Sequence, residues 1–230
     1  MGLPWPTTSF DELENVPLPL QRRYLGVRSQ AQSTALRSGM RFTLTYHGRL
    51  PSQSDAKTKH RIRTDLHPQL KELWRTHPAL AGSEDWITEH APDDSGNEYG
   101  VLLKAIGANT FASLVHPYLK LYAELDILML RPESPGAVIS HSGDIDNQLK
   151  TLFDALRRPV DASEVPSGWI GSEEQTPLHC LLDDDKLITR VNVETDRLLL
   201  PERDPKDVDI TIRVSVKGFT TTWGNIGLIS

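Results

Sequence analysis

The stretch Gly143-Asp144-Ile145-Asp146-Asn147-Gln148-Leu149-Lys150-Thr151-Leu152-Phe153-Asp154-Ala155-Leu156 decides how this chain is read. Leu149, Leu152, Phe153 and Leu156 fall at i, i+3, i+4 and i+7, the spacing of one apolar helix face. Pro159 stops that helix just beyond. Asp146 or Asn147 is a good N-cap, because either side chain can accept from the unpaired N–H groups of the first turn. Asp144 and Asp146 stand two apart in an extended approach, so their carboxylates can share a side. Asp146, Lys150 and Asp154 are spaced by four and line a polar face away from the leucines. Two carboxylates and one ammonium are therefore expected to converge where the helix begins.

A second acidic group lies downstream. Leu181-Leu182 runs into Asp183-Asp184-Asp185, and Lys186-Leu187-Ile188-Thr189-Arg190-Val191 then reads as a strand. Three clustered carboxylates repel one another unless a cation or protons intervene. Mg²⁺ suits them, with Mn²⁺ as a substitute, because it takes hard oxygen ligands and keeps waters that a phosphate can displace. Such an ion can activate water and neutralise charge on a phosphodiester. Lys150 is placed to stabilise the charge that develops or to steer the nucleophile. Each motif also has a plainer reading, the first as a helix cap and the second as a solvated turn. Only the pair, with a lysine one turn into the helix, points to a site.

Outward from these motifs the chain alternates strands and helices without a regular βαβ rhythm, which predicts a mixed α+β sheet domain. Arg41–Tyr46 puts Phe42, Leu44 and Tyr46 on one side, the pattern of a half-buried strand. Leu66, Leu70, Leu73 and Trp74 make a helix face that ends near Pro78. Leu121–Leu130 and Ile210–Val216 alternate as strands, while Val101–Leu119 reads as either a short helix or a strand pair. Residues 1–40, punctuated by Pro4, Pro6, Pro17 and Pro19, read as an arm with at most one helix, over 21–36. The main domain spans 41–230, with surface insertions expected near 79–100 and 160–177.

Composition narrows the possible functions. The hydrophobic set is 38% and the charged set 24% of 230 residues, enough for a sizeable core. No apolar run approaches a membrane span, and the start has no secretion-signal pattern, so a cytoplasmic protein that meets no membrane is expected. One cysteine, Cys180, leaves no internal disulfide and no Cys-rich zinc site; a buried apolar role is expected for it. The eight histidines show no His-x-x-x-His pair, and His60, His67 and His77 are expected at the surface or against phosphate. No phosphate-cradling Gly-rich loop and no Gly-x-Ser-x-Gly elbow is present. The net charge of −6 hides a split, since residues 20–75 hold 12 basic and 3 acidic residues. Lys57, Lys59, Arg61 and Arg63 are the densest part and are candidate nucleic-acid contacts. The same basic region could instead face the acidic half of its own chain.

The two acidic motifs resemble those of the RusA-type Holliday junction resolvases, small Mg²⁺-dependent endonucleases. Residues 143–156 are similar to that family's Asp-Leu-Asp-Asn…Lys…Phe-Asp-Ala-Leu, and Leu182-Asp183-Asp184-Asp185-Lys186-Leu187 to its Asp-Asp-x-x-(Ile/Val) before a strand. The resemblance implies that Asp144, Asp146 and Asp184 are catalytic carboxylates holding Mg²⁺, and that Lys150 is the catalytic lysine. Asn147, Asp154 and Asp183 fall on the motif as supporting residues. It further implies a RusA-like α+β fold, a mixed β-sheet with helices packed on it, a homodimer, and branched or four-way junction DNA as substrate. The family is usually shorter and more basic, which makes the arm and the two insertions additions. The competing expectation is a catalytically inactive RusA-like module that binds nucleic acid or a protein. Intact Asp144, Asp146, Lys150 and Asp184 favour the enzyme.

Overall fold

The computed structural model describes residues 39–88, 102–132, 145–200, 204, 207–222 and 224–229. The expected arm and its helix over 21–36 lie outside the described residues, as do Gly143 and Asp144. In chain order the described elements are β1 (Arg41–Arg49), α1 (Ala56–Thr76), β2 (Leu103–Ile106), β3 (Asn109–Val115) and β4 (Leu121–Arg131). They continue with α2 (Ile145–Leu156), β5 (Leu178–Leu182), β6 (Ile188–Arg197), β7 (Asp207–Gly218) and α3 (Ile226–Ile229). One sheet has the order β1-β7-β4-β6 and the other β2-β3-β5. Both are mixed: β1–β7, β7–β4 and β2–β3 run antiparallel, β4–β6 and β3–β5 parallel. The fold is α+β, as expected.

Period-two alternation builds the larger sheet. Ala123, Leu125, Ile127 and Met129 of β4 are buried beside Ile210, Ile212, Val214 and Val216 of β7. Ile62, Leu66, Leu70 and Trp74 of α1 join the same core, as do Leu152, Ala155 and Leu156 of α2. A fully buried Leu or Ile contributes roughly 1.5–3 kcal/mol, so this shared core fixes which face of each strand turns inward. Gln69 of α1 lies along the free edge of β1, accepting from Thr45 N (2.9 Å) and donating to Thr45 O (2.7 Å). That one amide satisfies both backbone groups of Thr45, which an edge strand leaves open.

The two sheets share a pair of parallel bends. β3 passes into β4 through 116–120, and β5 passes into β6 through 183–187, with β3 beside β5 and β4 beside β6. Asp183 N donates to Val115 O (3.0 Å), which carries the β3–β5 pairing into the bend. The acidic triplet therefore sits at a corner between sheets.

Four sequence expectations change. α1 begins ten residues before Leu66, capped by Asp55, whose side chain accepts from Thr58 N at 2.8 Å. Its first turns were hidden because their basic residues mask the apolar stripe that starts at Ile62. Val101–Leu119 resolves, over its described part, into a β2–β3 hairpin turning at Gly107, whose φ of 61° is left-handed. Within 79–88, Leu80 and Trp86 are buried in the main core, so this part is no surface insertion. In the 160–177 segment, Val165 and Trp169 close a smaller apolar cluster of Ile106, Phe111, Leu178 and Cys180.

Candidate active site

α2 starts at Ile145, so Asp146 and Asn147 stand inside its first turn and neither is the N-cap. An acid there still favours the helix, because the first-turn N–H groups carry partial positive charge. Asp146, Asn147 and Lys150 are exposed. Gln148 is buried between them, and its Nε2 donates to Leu50 O at 2.9 Å. One turn on, Thr151 and Ser54 hydroxyls meet at 3.0 Å. These two contacts pin the first half of α2 to segment 50–54 and turn Asp146 and Lys150 outward.

The polar face expected through Asp146, Lys150 and Asp154 divides along the helix. Asp154 is buried, accepting from Lys59 Nζ at 2.6 Å and from Arg157 Nη2 at 3.2 Å. Arg157 also makes a two-pronged pair with Glu164, 2.8 Å on each side. That pairing, with further help from Asp154, raises its pKa above the usual arginine range. Beneath them Arg63, 2% exposed, donates from Nε to Arg157 O (2.8 Å) and from Nη2 to Asp154 O (2.9 Å). Arg63 thus caps the carbonyl end of α2, a helix end that would otherwise be buried unsatisfied.

The acidic corner divides similarly. Asp183 is ion-paired with Arg158 and lies 3.4 Å from His116 Nε2. Asp184 accepts from Lys186 N at 2.9 Å and caps the short turn Asp185–Leu187; its nearest ammonium, Lys186 Nζ, is 3.8 Å away. That backbone hydrogen bond holds Asp184 below the usual carboxylate range. Burial, followed by a hydrogen bond with Asp184, pushes Asp185 up, so of the two it is Asp185 that keeps a proton more readily. The turn carrying this pair packs against α2. Asp146 has no ion-pair partner among the described residues and Asp184 only the exposed Lys186, whereas Asp154 and Asp183 are committed to closer ion pairs with arginines.

The basic cluster is not one surface. Lys57 is exposed. Lys59 is occupied by Asp154, and Arg61 reaches Tyr46 Oη (3.3 Å) and Arg49 O (3.2 Å) while remaining exposed. Arg63 is in the core and contacts no phosphate, a correction that follows from helical geometry: alternate residues of a helix do not share a face. His60 and His67 are also buried rather than superficial. His67 Nδ1 accepts from His179 N (2.9 Å) and its Nε2 donates to Glu174 O (2.9 Å), which fixes a neutral tautomer. Burial lowers His60 to about 4 and His179 to about 3. Cys180 is buried as expected, its thiol pushed up to about 12 by desolvation. The sequence reading missed Arg157, Arg158 and Glu164; the Arg-Arg pair directly after an apolar helix was the available signal.

Among the described residues no three His, Cys, Asp or Glu side chains gather as a metal site requires, and Asp144 is not among them. Also among the described residues, no helix is long and apolar enough to cross a membrane. Compared with protein-family models, curated proteins and solved structures, the chain finds no match.

Proposed function

We propose that this chain is a Mg²⁺-dependent, structure-selective DNA endonuclease of the RusA type, hydrolysing phosphodiesters at branched DNA as a cytoplasmic homodimer. One observation carries the reading: the turn that follows Asp184 packs against α2, the helix that bears Asp146 and Lys150, where its electrostatic neighbours are Asp154 and Arg157, about 12 Å along the helix from Asp146. Residues 38 positions apart in sequence thus belong to neighbouring elements. The donor chemistry fits a hard divalent cation, since Asp146 and Asp184 offer carboxylate oxygens that no arginine or buried lysine consumes. Asp144, Asp146 and Asp184 would hold the ion. When bound, it supplies an activated water and neutralises charge on the scissile phosphate.

The remaining work falls to the chain itself. Lys150, exposed one turn after Asp146, offers an ammonium to the developing negative charge. The Lys59–Asp154–Arg157–Glu164 chain holds fixed the end of α2 beside which the acidic turn lies. Lys57 and Arg61 remain as exposed phosphate contacts.

The test is Mg²⁺-dependent cleavage of a synthetic four-way junction with an EDTA control. Asp146→Asn and Asp184→Asn should each lower the rate by about 100-fold, roughly 2.7 kcal/mol of barrier. DNA binding without metal should hold steady or tighten, because a negative charge facing phosphate is removed. Lys150→Ala should slow cleavage and leave Mg²⁺ affinity intact. A wild-type protein inert with both Mg²⁺ and Mn²⁺, or cleavage that Asp184→Asn leaves untouched, overturns the reading.

A further inference from the structure

The larger sheet has a second, outward face that the endonuclease reading does not use. At its centre is an open trough of about 410 Å³ to which β1, β4, β6 and β7 all contribute. Along β7 the alternate residues Arg213, Ser215 and Lys217 face outward. In register, Arg41 lies opposite Ser215, and Tyr122 opposite Lys217. Phe219 follows, 60% exposed, with its ring 4.7 Å from that of Tyr122.

The charges on this face are unevenly answered. Arg190 takes both carboxylates of the trough, with Nε 3.4 Å from Glu124 and its two Nη groups 3.2 and 3.3 Å from Asp126. Among the described residues, Arg41, Arg213 and Lys217 have no hydrogen-bonding or ion-pairing side-chain partner. Three guanidinium groups thus meet two carboxylates in the trough, and an unpaired lysine stands between it and the aromatic pair. At about 3.3 Å per strand residue, Arg213 and Lys217 are about 13 Å apart. A row of unpaired cations ending in an exposed Phe219 packed on the half-buried Tyr122 suits a ligand with repeated negative charge and a flat unsaturated group.

We propose that this face binds single-stranded nucleic acid, with backbone phosphates against Arg41, Arg213 and Lys217 and a base stacked on the Phe219–Tyr122 pair. A small anion would leave the rings unused. A duplex keeps its bases stacked on one another and cannot present one to Phe219. Base–aromatic stacking tolerates any sequence, and phosphate contacts add salt dependence, so the surface holds a strand without reading it. The proposal rests on the preceding reading for its setting, an unpaired arm of branched DNA, and deepens it by naming where that arm lies.

Binding of a fluorescein-labelled oligothymidylate is followed by anisotropy in EDTA, where cleavage plays no part. Phe219→Ala should weaken it about tenfold, the scale of one lost base stack, while Phe219→Trp retains it. The pair Arg41→Ala and Arg213→Ala should each lower the log–log salt slope by about 0.7. Lys104→Ala, exposed on β2 of the other sheet, serves as the control. No binding by the wild-type chain, or binding that all three substitutions leave unchanged, overturns the proposal and leaves the face to a protein partner. Loss of junction cleavage with normal oligothymidylate binding would instead remove the endonuclease reading and keep this one.

Discussion

Arg63 and Arg213 are the same side chain in two regions that treat it oppositely. Under α2, Arg63 is buried and spends its donors on two helix carbonyls; on the outer sheet face, Arg213 is exposed and unpartnered. The helical layer, formed by α1, α2 and the 160–177 segment, answers its charges internally through Lys59, Asp154, Arg157 and Glu164. The sheet face leaves a cation surplus pointing at solvent. A charge in the first region maintains the fold, and a charge in the second is available to a ligand. Counting basic residues along the chain merges these two roles.

The comparison is broken most forcefully at Arg63. Arg63→Met leaves two buried carbonyls without donors and should cost about 3–5 kcal/mol, read from the urea midpoint. Arg213→Met should leave that midpoint unmoved. Equal effects at the two positions would erase the distinction.

Acid should attack the helical layer next. His60 and His179 are held at about 4 and about 3, below the ordinary 6.5, so the unfolded chain binds more protons between those values. Their contribution is complete above pH 6.5 and is lost as pH falls toward the folded values. Two such groups should remove about 4 kcal/mol between pH 7 and pH 5. His60→Phe should halve that loss, and equilibrium unfolding at the two pH values measures both.

A smaller effect separates the two ends of α2. Asp154→Asn weakens the pairs with Lys59 and Arg157 and should cost about 1–2 kcal/mol. Asp146→Asn, exposed in the first turn, should change stability by no more than a few tenths of a kcal/mol. Lys57→Ala should leave stability alone and lower the salt slope of duplex binding by about 0.9 if Lys57 meets a phosphate. An unchanged slope would assign Lys57 to a merely solvated surface.

Much of the fold was legible because period and burial agree. β4 and β7 alternate so regularly that Ala123, Leu125 and Ile127, with Ile212 and Val214, could be assigned inward from spacing alone. The stripe of Leu149, Leu152, Phe153 and Leu156 set the heart of α2 for the same reason. The first turns of α1 were not legible, since Lys57, Lys59 and Arg61 are compatible with any exposed segment. Asp146, Lys150 and Asp184 were legible as candidates from residue type and spacing. Asp154 and Arg157, three apart, were within reach of a local reading, but that Asp183 is committed to Arg158 was not, because Arg158 meets it only where the end of α2 comes against β5.

The sequence by itself determined β1, β4, β7 and the heart of α2, their inward faces and the residue types able to hold a cation. Those properties depend on neighbours within a turn or a strand, where backbone geometry fixes which side chains align. Tertiary structure alone decided which charges are free. Whether Arg63 is a cap, Asp183 an ion pair or Arg213 an open donor depends on what another segment places within about 4 Å. Desolvation and pairing of a charge are set by surroundings that the chain assembles only when β5, α1 and α2 come together.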